Sequence, residues 1–477
     1  MLAKVFRIAG IVLAVALIWA LVFGWWQSND HQPDLGDLAL YMLALPLALI
    51  GGYWLLRFSI DQLKAKPGSK AAASSPTGGS DTQTSAEAKT VAAERGFSLS
   101  VVETFVVAAG GSSAEEILAA VEANKRPKPM PELIDSSGFP AFAATVDKLD
   151  AAVVAEAFAD SPSGLQKLLE RDDALRALGL LERVLKPACE MIAQLAESAA
   201  DPSFGKLNLR LLYLLPAAWG NDYSADLQFW LRSFAWPPED VAELYIDAIP
   251  VASDVDAMRQ VDAAILKANQ EEGGERLLIL VAGAMSTATQ GCITEREATV
   301  GLFSSQSLEL PIPGEGAAAI LFAPKAACAK LNLTECVTVS RVAHAIREKA
   351  LYADRRIRGT LISKLIANLL KEFGVTAEAI KAVVVDTDHR SAHSTEMLEG
   401  FDAAFSDLDP LKDCPAIGTV NGYLTPLGGL LALACACHRA RADQAPTLCL
   451  SNQHDRERAA LLVRPAGFSP APVPPNT

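Results

Sequence analysis

Two long apolar runs dominate the start of the hydrophobic and polar pattern. Residues 6–26 contain one charged side chain, Arg7, and residues 38–56 contain none. Each run approaches the ~20 residues that a helix needs to cross a bilayer, and Pro46 in the second run is tolerable in a membrane helix. Both runs are apolar on all faces, which argues against a buried helical pair in a water-soluble domain. The pattern predicts a two-helix transmembrane hairpin within residues 1–65.

The charges around these runs predict an orientation. The connecting segment carries Asp30, Asp34 and Asp37 but no Lys or Arg, whereas basic residues flank the pair on its outer sides. By the positive-inside rule, both ends face the cytoplasm and the acidic segment faces out. A cleaved signal peptide is the alternative for the first run, but its Phe-Gly-Trp-Trp end lacks a small-x-small cleavage site. We therefore expect an anchor in a bacterial inner membrane, with the N-terminus and the main domain in the cytoplasm.

Two segments have the composition of flexible chain. Residues 66–96 are rich in Gly, Ser, Ala, Thr and Pro and contain no aromatic residue before Phe97, which is typical of a tether. Residues 466–477 are rich in proline, and we expect them to be disordered. These boundaries leave residues 97–465 as the folded body.

Apolar segments suited to buried strands alternate with amphipathic segments along this body. The predicted strands are 99–108, 207–216, 277–282, 319–323, 337–342, 381–385, 447–450 and 459–463. The predicted helices are a helix capped by Ser113, helices within 150–199, a helix opening at 237–240, and the helices 255–269, 360–373 and 427–441. Strands that alternate with helices predict an α/β fold with mostly parallel sheets covered on both faces. The elements divide into two halves, 97–325 and 326–465.

Composition narrows the function classes. The net charge of −14 argues against nucleic acid as the main partner, since phosphate binding needs a cationic surface. The eight cysteines include no C-x-x-C pair, so buried thiols in a reducing compartment are expected. Cys435, Cys437 and His438 are the nearest approach to a metal motif, but the two cysteines point in different directions on the predicted helix.

Two glycine-rich segments are the most informative features of the chain. Residues 313–323 read Pro-Gly-Glu-Gly-Ala-Ala-Ala-Ile-Leu-Phe-Ala, a turn that leads into a buried strand. Residues 422–429 read Gly-Tyr-Leu-Thr-Pro-Leu-Gly-Gly and lead into an apolar helix. The order and spacing of these segments resemble the β-ketoacyl synthase branch of the thiolase-like enzymes. The resemblance implies duplicated α/β/α/β/α layers, with a framework formed by Gly314, Glu315, Gly316, Gly422, Gly428 and Gly429.

The positions that carry the chemistry in that family are substituted here. The family has a nucleophilic cysteine at the start of a central helix, and the matching position is Ser253; no cysteine lies between Cys189 and Cys292. The two family histidines match Asp386 and Tyr423, and the family lysine matches Gly418. These four degenerate positions imply a scaffold without catalytic residues. A hydroxyl at a helix start most often caps the helix, and this is the role we expect for Ser253.

Two further groups of residues suggest other kinds of site. His389 and His393 lie among carboxylates and could bind Zn²⁺ or Mn²⁺, but the serines that follow the strand favour a polar loop, and we predict no metal and no cofactor. A basic island could bind an acidic partner or lipid headgroups, although most such runs are solvated helix faces. The first group consists of Asp386, Asp388, His389, His393 and Glu396, and the second of Arg341, Arg347, Lys349, Arg355, Arg356 and Arg358.

Three functions remain open. The first is a membrane-anchored, catalytically inactive thiolase-like domain that acts as a binding or adaptor module for a protein partner. Its layout also resembles accessory proteins of bacterial type VI secretion loci. The second is an active condensing enzyme of the acyltransferase type, with Cys292 or Ser253 as its nucleophile. The third is a metal hydrolase. The resemblance also implies a homodimer paired through a strand of the first half.

Overall fold

The computed structural model describes residues 94–149, 154–156, 167–168, 170–198, 205–220, 223–353 and 356–468. The predicted hairpin and the C-terminal tail from residue 469 lie outside these ranges, as does the predicted linker up to residue 93. No helix within the described ranges has the length and apolarity that a membrane span requires.

Twelve strands lie within the described residues of the body and form its framework. They are β1 (Ser98–Ala108), β2 (Lys128–Ile134), β3 (Pro140–Ala143), β4 (Leu207–Pro216), β5 (Ala242–Val251), β6 (Leu277–Ser286), β7 (Glu315–Ala323), β8 (Val337–Ser340), β9 (Ala343–Ile346), β10 (Ala382–Val385), β11 (Thr447–Ser451) and β12 (Glu457–Arg464).

The helices that pack on these strands follow in chain order. They are α1 (Ala114–Glu122), α2 (Asp172–Ser198), α3 (Ser224–Leu231), α4 (Asp254–Gln270), α5 (Gln290–Thr299), α6 (Lys325–Lys330), α7 (Thr360–Phe373), α8 (Ser391–Ala404), α9 (Gly418–Asn421) and α10 (Gly428–Asp443).

One ten-stranded sheet contains all the strands except the hairpin β2–β3. Its order is β10-β11-β12-β8-β1-β7-β6-β4-β5, with β9 paired to β12. The first half therefore runs β5-β4-β6-β7-β1, and the second half repeats the β4-β6-β7-β1 part of this order as β10-β11-β12-β8. β4 is parallel to β6, and β10 is parallel to β11, whereas β7 and β12 run antiparallel to their neighbours. The duplicated α/β architecture that the sequence predicted is present, and the antiparallel pair β1–β8 joins the two halves.

Side-chain alternation along the strands produces five layers. In β7, Ile320 and Phe322 join a central cluster with the apolar faces of α4 and α10, whereas Leu321 faces the outer helix α2. In β12, Leu461 faces the same central cluster and Leu462 packs toward α7 and α8. The layers are therefore α2, the first half-sheet, the central helices, the second half-sheet, and the pair α7 and α8. This is the α/β/α/β/α layering that the resemblance implied.

Most of the predicted strands and helices are present within a few residues of their predicted ends. The prediction of mostly parallel sheets is wrong, because β7, β8 and β12 each run antiparallel to their neighbours. The prediction of a helix that begins at 237–240 is also wrong. That segment leads into β5, which pairs in parallel with β4 along its whole length. The helices predicted within 150–199 are replaced over 172–198 by α2, a single helix whose buried apolar face compensates for the helix-breaking Pro187.

The polar loop predicted after β10 is a helix, α8, which begins at Ser391. Its first turn is capped from a distant part of the chain. The carboxylate of Glu309 accepts hydrogen bonds from the hydroxyl and N–H of Ser391 (the latter 3.1 Å) and from the N–H of Ala392 (3.4 Å). The serines read locally as loop formers, but this long-range carboxylate satisfies the N–H groups that a helix start leaves free.

Candidate functional site

The candidate site lies where the two central helices begin. Asp254, the first residue of α4, is fully buried. Its carboxylate accepts hydrogen bonds from the Thr425 hydroxyl and from the N–H of Gly429 in α10 (3.1 Å). Burial raises the pKa of Asp254, and these hydrogen bonds oppose the rise. A carboxylate therefore occupies the point where the positive ends of both central helices meet.

Ser253 directs its hydroxyl away from this point. Its Oγ accepts a hydrogen bond from the N–H of Asp256 (3.1 Å), which makes Ser253 the N-cap of α4. The same hydroxyl donates to the carboxylate of Glu457 at the start of β12. The hydroxyl of Ser253 is therefore engaged in capping α4 and in a contact between the two halves.

Asp386 follows β10 directly and faces Asp254 across Gly428. A Cβ built on Gly428 would lie 3.1 Å from Asp254 Oδ1 and 3.4 Å from the Asp386 Cβ, so a larger residue would have to displace these side chains by a few tenths of an ångström. The Asp386 carboxylate accepts hydrogen bonds from the Ser451 hydroxyl and from the N–H of Asn452 (2.8 Å). Burial, and secondly the charge of Asp254, raise the pKa of Asp386 to about 7. The site is thus a pair of buried carboxyl groups.

Gln453 connects the end of β10 with the turn 422–429. Its Nε2 donates to the carbonyl oxygens of Asp386 (2.9 Å) and Gly422 (3.2 Å), and its Oε1 accepts from the N–H of Leu424 (3.3 Å). Sequence reasoning missed this residue. The only available signal was the polar run 451–453 at the end of the apolar strand β11.

Gly418 lies against the same backbone. A Cβ at this position would be 2.2 Å from the carbonyl oxygen of Asp386 and 2.7 Å from that of Thr387. A lysine, the residue that the resemblance implied for the family at this position, would therefore clash with main chain that cannot move aside cheaply.

Tyr423 lies between two guanidinium groups. The Cζ atoms of Arg390 and Arg296 are 5.2 Å and 5.8 Å from the centroid of its ring. Arg390 is in turn held by the Asp388 carboxylate, at 2.9 Å from each oxygen. Burial raises the pKa of the Tyr423 phenol, so the group stays neutral at physiological pH. The position at which the resemblance implied a family histidine therefore presents a neutral phenol.

The cluster Asp386 to Glu396 does not converge on a common point. His389 Nε2 is 3.1 Å from the Leu310 carbonyl oxygen, and His393 Nδ1 is 2.7 Å from that of Asn452. Glu396 is bound by Arg458 (Nη2–Oε2 2.6 Å) and by Arg347. Within the described parts of the chain, no group of three His, Cys, Asp or Glu side chains is arranged to bind a metal ion. The side chains of this cluster therefore make separate hydrogen bonds and ion pairs.

Two members of the predicted basic island have acidic partners inside the protein. The Arg341 guanidinium binds both oxygens of Asp262 (Nε–Oδ1 2.6 Å, Nη2–Oδ2 2.8 Å). Arg347 binds Glu396, as described above. Arg355 lies outside the described residues. At these two positions the charge contributes to internal ion pairs.

Glu315 binds segments of the first half together. It is fully buried at the start of β7, and Arg176 of α2 donates to it from Nε (2.8 Å) and Nη2 (2.6 Å). The Ser286 hydroxyl and the N–H of Val146 complete its hydrogen bonds, at 2.8 Å and 2.7 Å. Arg176 gave no sequence signal, since it lies 139 residues from Glu315. Gly316 is extended within β7, and its constraint is space: a Cβ would lie 3.0 Å from the Val107 carbonyl oxygen.

The other framework glycines bring the two motif segments into contact. A Cβ on Gly314 would lie 2.2 Å from the carbonyl oxygen of Asn421, which leaves no room for a side chain. Gly422 has φ of +70°, a conformation that glycine adopts without strain, and it lies against the carbonyl oxygen of Ile312. Gly429 packs on Met258 of α4. The turn 422–429 and the turn before β7 therefore fit together through bare backbone.

A cavity of about 360 Å³ opens beside the site, at the carboxyl ends of β4, β5 and β6. Its lining includes Trp219, Ala252, Met285, Thr425 and Cys292. Cys292 lies in the first turn of α5, where burial raises the pKa of its thiol. Because the thiolate is the attacking form, this thiol is a poor nucleophile at neutral pH.

A second thiol lies still closer to the carboxyl pair. The Sγ of Cys449 in β11 is 4.0 Å from the Gly429 carbonyl oxygen, and the side chain is fully buried. Burial raises its pKa well above the ordinary value, and the charge of Asp386 adds to this. The thiol therefore stays protonated and has no access to a substrate.

The five-layer fold and its central pair of helices define the class: the chain has the thiolase-like fold of β-ketoacyl synthases. The ketosynthase from module 6 of the bacillaene synthase of Bacillus subtilis 168 superposes with a TM-score of 0.51 at 11% identity, over 78% of this chain and 72% of that one. The ishigamide ketosynthase/chain length factor gives 0.50 at 15% identity, over 78% and 100%. A β-ketoacyl synthase from Burkholderia phymatum STM815 gives 0.50 at 13% identity, over 78% and 100%. No sequence-family model and no curated protein matches the chain. At identities this low, the structural likeness establishes the fold alone, and the activity has to be argued from the site.

Proposed function

We propose that this protein is a ketosynthase-fold module without condensing activity, which is anchored to a membrane and binds a protein partner. The observation that carries the proposal is the pair of buried carboxyl groups, Asp254 and Asp386, where the fold brings the starts of its central helices together. An acyl transfer needs an activated nucleophile and groups that stabilise an oxyanion. Two buried carboxyl groups supply neither of these, and ionisation of either would oppose an oxyanion.

The remaining candidate nucleophiles support the same proposal. The Ser253 hydroxyl is bound to Glu457 and caps α4. Burial raises the pKa of both Cys292 and Cys449. Groups that act as a unit lose nearly all their benefit when one is removed, so we expect no partial activity.

An active condensing enzyme with a divergent site is the second candidate, and one observation favours it: Cys292 lines the cavity beside the site. Full-length protein incubated with acyl and malonyl thioesters separates the two candidates. We expect carbon dioxide release from the malonyl donor to stay at the level of heat-denatured protein. Release that disappears in Cys292→Ala and persists in Cys189→Ala, a buried thiol on α2, would establish the enzyme and refute the proposal.

The membrane anchor rests on the sequence of residues 6–26 and 38–56 and on the basic residues that flank them. Its orientation places Asp30 and Asp34 outside the cytoplasmic membrane and residues 97–465 inside. A cysteine introduced beside Asp30 should react with a membrane-impermeant maleimide in intact cells. A reporter fused after Thr477 should lie in the cytoplasm, so a reporter that works only in the periplasm should be inactive there. Activity of that periplasmic reporter would contradict the orientation. An accessory role in a bacterial secretion system is the most specific form of the adaptor proposal, and it rests on this layout.

A homodimer through the first half is the partner arrangement that the fold favours. β5 ends the sheet on that side, and Tyr245 on this strand is 51% exposed. Unpaired edge strands readily add a strand from another chain. Tyr245→Lys should lower the mass measured by light scattering from dimer to monomer, whereas Leu411→Lys, at a position 90% exposed, should leave it unchanged. A wild-type monomer would contradict the arrangement.

A further inference from the structure

Two cysteines lie close together at the joint between the halves of the sheet, far along the chain from the carboxyl pair. Cys328 belongs to α6, and Cys336 directly precedes β8, the strand that joins the halves. Their Sγ atoms are 3.8 Å apart. Disulfide formation requires the sulfurs to approach to about 2.05 Å, which rotations about χ1 can supply when the two Cβ atoms are neighbours.

The surroundings distinguish this pair from the other cysteines. The sulfurs of Cys328 and Cys336 are within hydrogen-bond distance, and this contact lowers the pKa of Cys328 to about 7 although burial acts in the opposite direction. Burial raises the pKa of Cys189 and of Cys437 to about 12. Cys328 is 6% exposed and Cys336 is half-buried, and residues 332, 334 and 335 before Cys336 are exposed. The pair therefore combines a sulfur of lowered pKa, a partly exposed neighbouring thiol and a connecting segment at the surface.

We infer that Cys328 and Cys336 are a redox-modification site, in which a hydroperoxide converts the two thiols into an intramolecular disulfide. The inference rests on the separation of the two sulfurs and on their place beside the β1–β8 joint, and it is independent of the proposed binding function.

The reaction balances in two steps. The Cys328 thiolate attacks one oxygen of the hydroperoxide, the O–O bond breaks, and hydroxide (or alkoxide) leaves, so that Cys328 becomes a sulfenic acid. The Cys336 sulfur then attacks the sulfenic sulfur, the S–S bond forms, and the sulfenic oxygen leaves as water with the thiol proton. The two thiols lose two electrons and the hydroperoxide gains them. Reduction by a dithiol restores both cysteines.

The bond would link α6 to the start of β8. The closed loop spans residues 328–336, and Leu331 and Leu333 within it pack on the outer cluster of the first half. A cross-link that constrains the unfolded chain stabilises the folded one. The oxidised protein should therefore melt at a higher temperature than the reduced protein.

Peptide mass spectrometry of full-length protein tests the inference directly. After treatment with hydrogen peroxide and alkylation of the remaining thiols, trypsin should release peptides 326–330 and 331–341 as one disulfide-linked species, because Lys330 lies between the two cysteines. Dithiothreitol should abolish that species. Oxidation of Cys328 should be at least about tenfold faster than that of Cys292, whose thiol is mostly protonated.

Matched variants complete the test. In Cys336→Ser the reaction should stop at a sulfenic acid on Cys328, which dimedone traps, and the rise in melting temperature should disappear. Cys292→Ser should leave both the linked peptide and the temperature shift unchanged. Absence of the linked peptide from peroxide-treated wild-type protein would overturn the inference, as would a temperature shift that persists in Cys336→Ser.

Discussion

Replacing Asp386 by asparagine tests whether the carboxyl pair destabilises the folded protein. Asparagine has nearly the same shape, and it can accept the hydrogen bond from the Asn452 N–H and donate to the Ser451 hydroxyl. Burial and the neighbouring Asp254 raise the pKa of the native carboxyl from 3.8 to about 7. A raised folded-state pKa favours the protonated folded form, so the stability that it contributes is complete below the unfolded pKa and is lost as the pH rises through the folded pKa.

The size of the effect follows from the shift. A difference of about three pKa units corresponds to at most about 4 kcal/mol, at about 1.4 kcal/mol per unit. The loss begins at the unfolded pKa of 3.8 and is complete just above the folded pKa of about 7. Between about pH 5 and about pH 8 the wild type should therefore lose up to about 3 kcal/mol of stability relative to Asp386→Asn. At the higher pH the variant should be the more stable protein.

Urea unfolding of full-length wild type and variant at the two pH values measures this, with the difference in free energy of unfolding as the readout. Ser451→Ala is the control, because it removes a hydrogen bond that lowers the pKa of Asp386 but keeps the carboxyl group, and so its pH dependence should be at least as large as that of the wild type. A difference between wild type and Asp386→Asn that is equal at both pH values would refute the reasoning.

Three further substitutions test other parts of the site by the same unfolding assay. Arg176→Met leaves the buried carboxylate of Glu315 without its guanidinium and should cost about 3–5 kcal/mol; a loss below about 1 kcal/mol would mean that the ion pair is replaceable. Gly418→Ala forces a Cβ to 2.2 Å from a carbonyl oxygen and should cost about 1–3 kcal/mol of stability. The control Gly291→Ala in α5, where a Cβ meets nothing within 4 Å, should be neutral or stabilising. Equal effects of the two substitutions would contradict the packing argument. Ser253→Ala removes the cap of α4 and should cost about 1 kcal/mol; no loss would mean that the hydroxyl has another role.

The fold was predictable wherever local patterns agree with long-range pairing. β6 and β7 are unbroken apolar runs, and α7 has one apolar face, so each was identified within a few residues. β5 was missed because the prolines and acidic residues at 237–240 signal a helix start, while its strand conformation comes from pairing with β4.

The site was predictable only in part, for a related reason. The positions of Ser253, Asp386, Tyr423 and Gly418 came from motif spacing, and the structure places Asp386, Tyr423 and Gly418 around one turn. The side chain that faces Asp386 is Asp254, one residue beyond the expected position, because Ser253 is used as the cap. Arg176 and Gln453 act across long stretches of sequence, and such partners leave no local pattern.

Intact-mass spectrometry of the full-length protein after incubation with acyl-coenzyme A and acyl-carrier donors tests the central claim most directly. The claim is that a ketosynthase fold here contains a buried carboxyl pair in place of an acyl-accepting nucleophile. We predict a single species at the unmodified mass, in the wild type and in Ser253→Ala and Cys292→Ala alike. A stoichiometric acyl adduct on the wild type that is lost in one of these two variants would contradict the claim and identify a working enzyme.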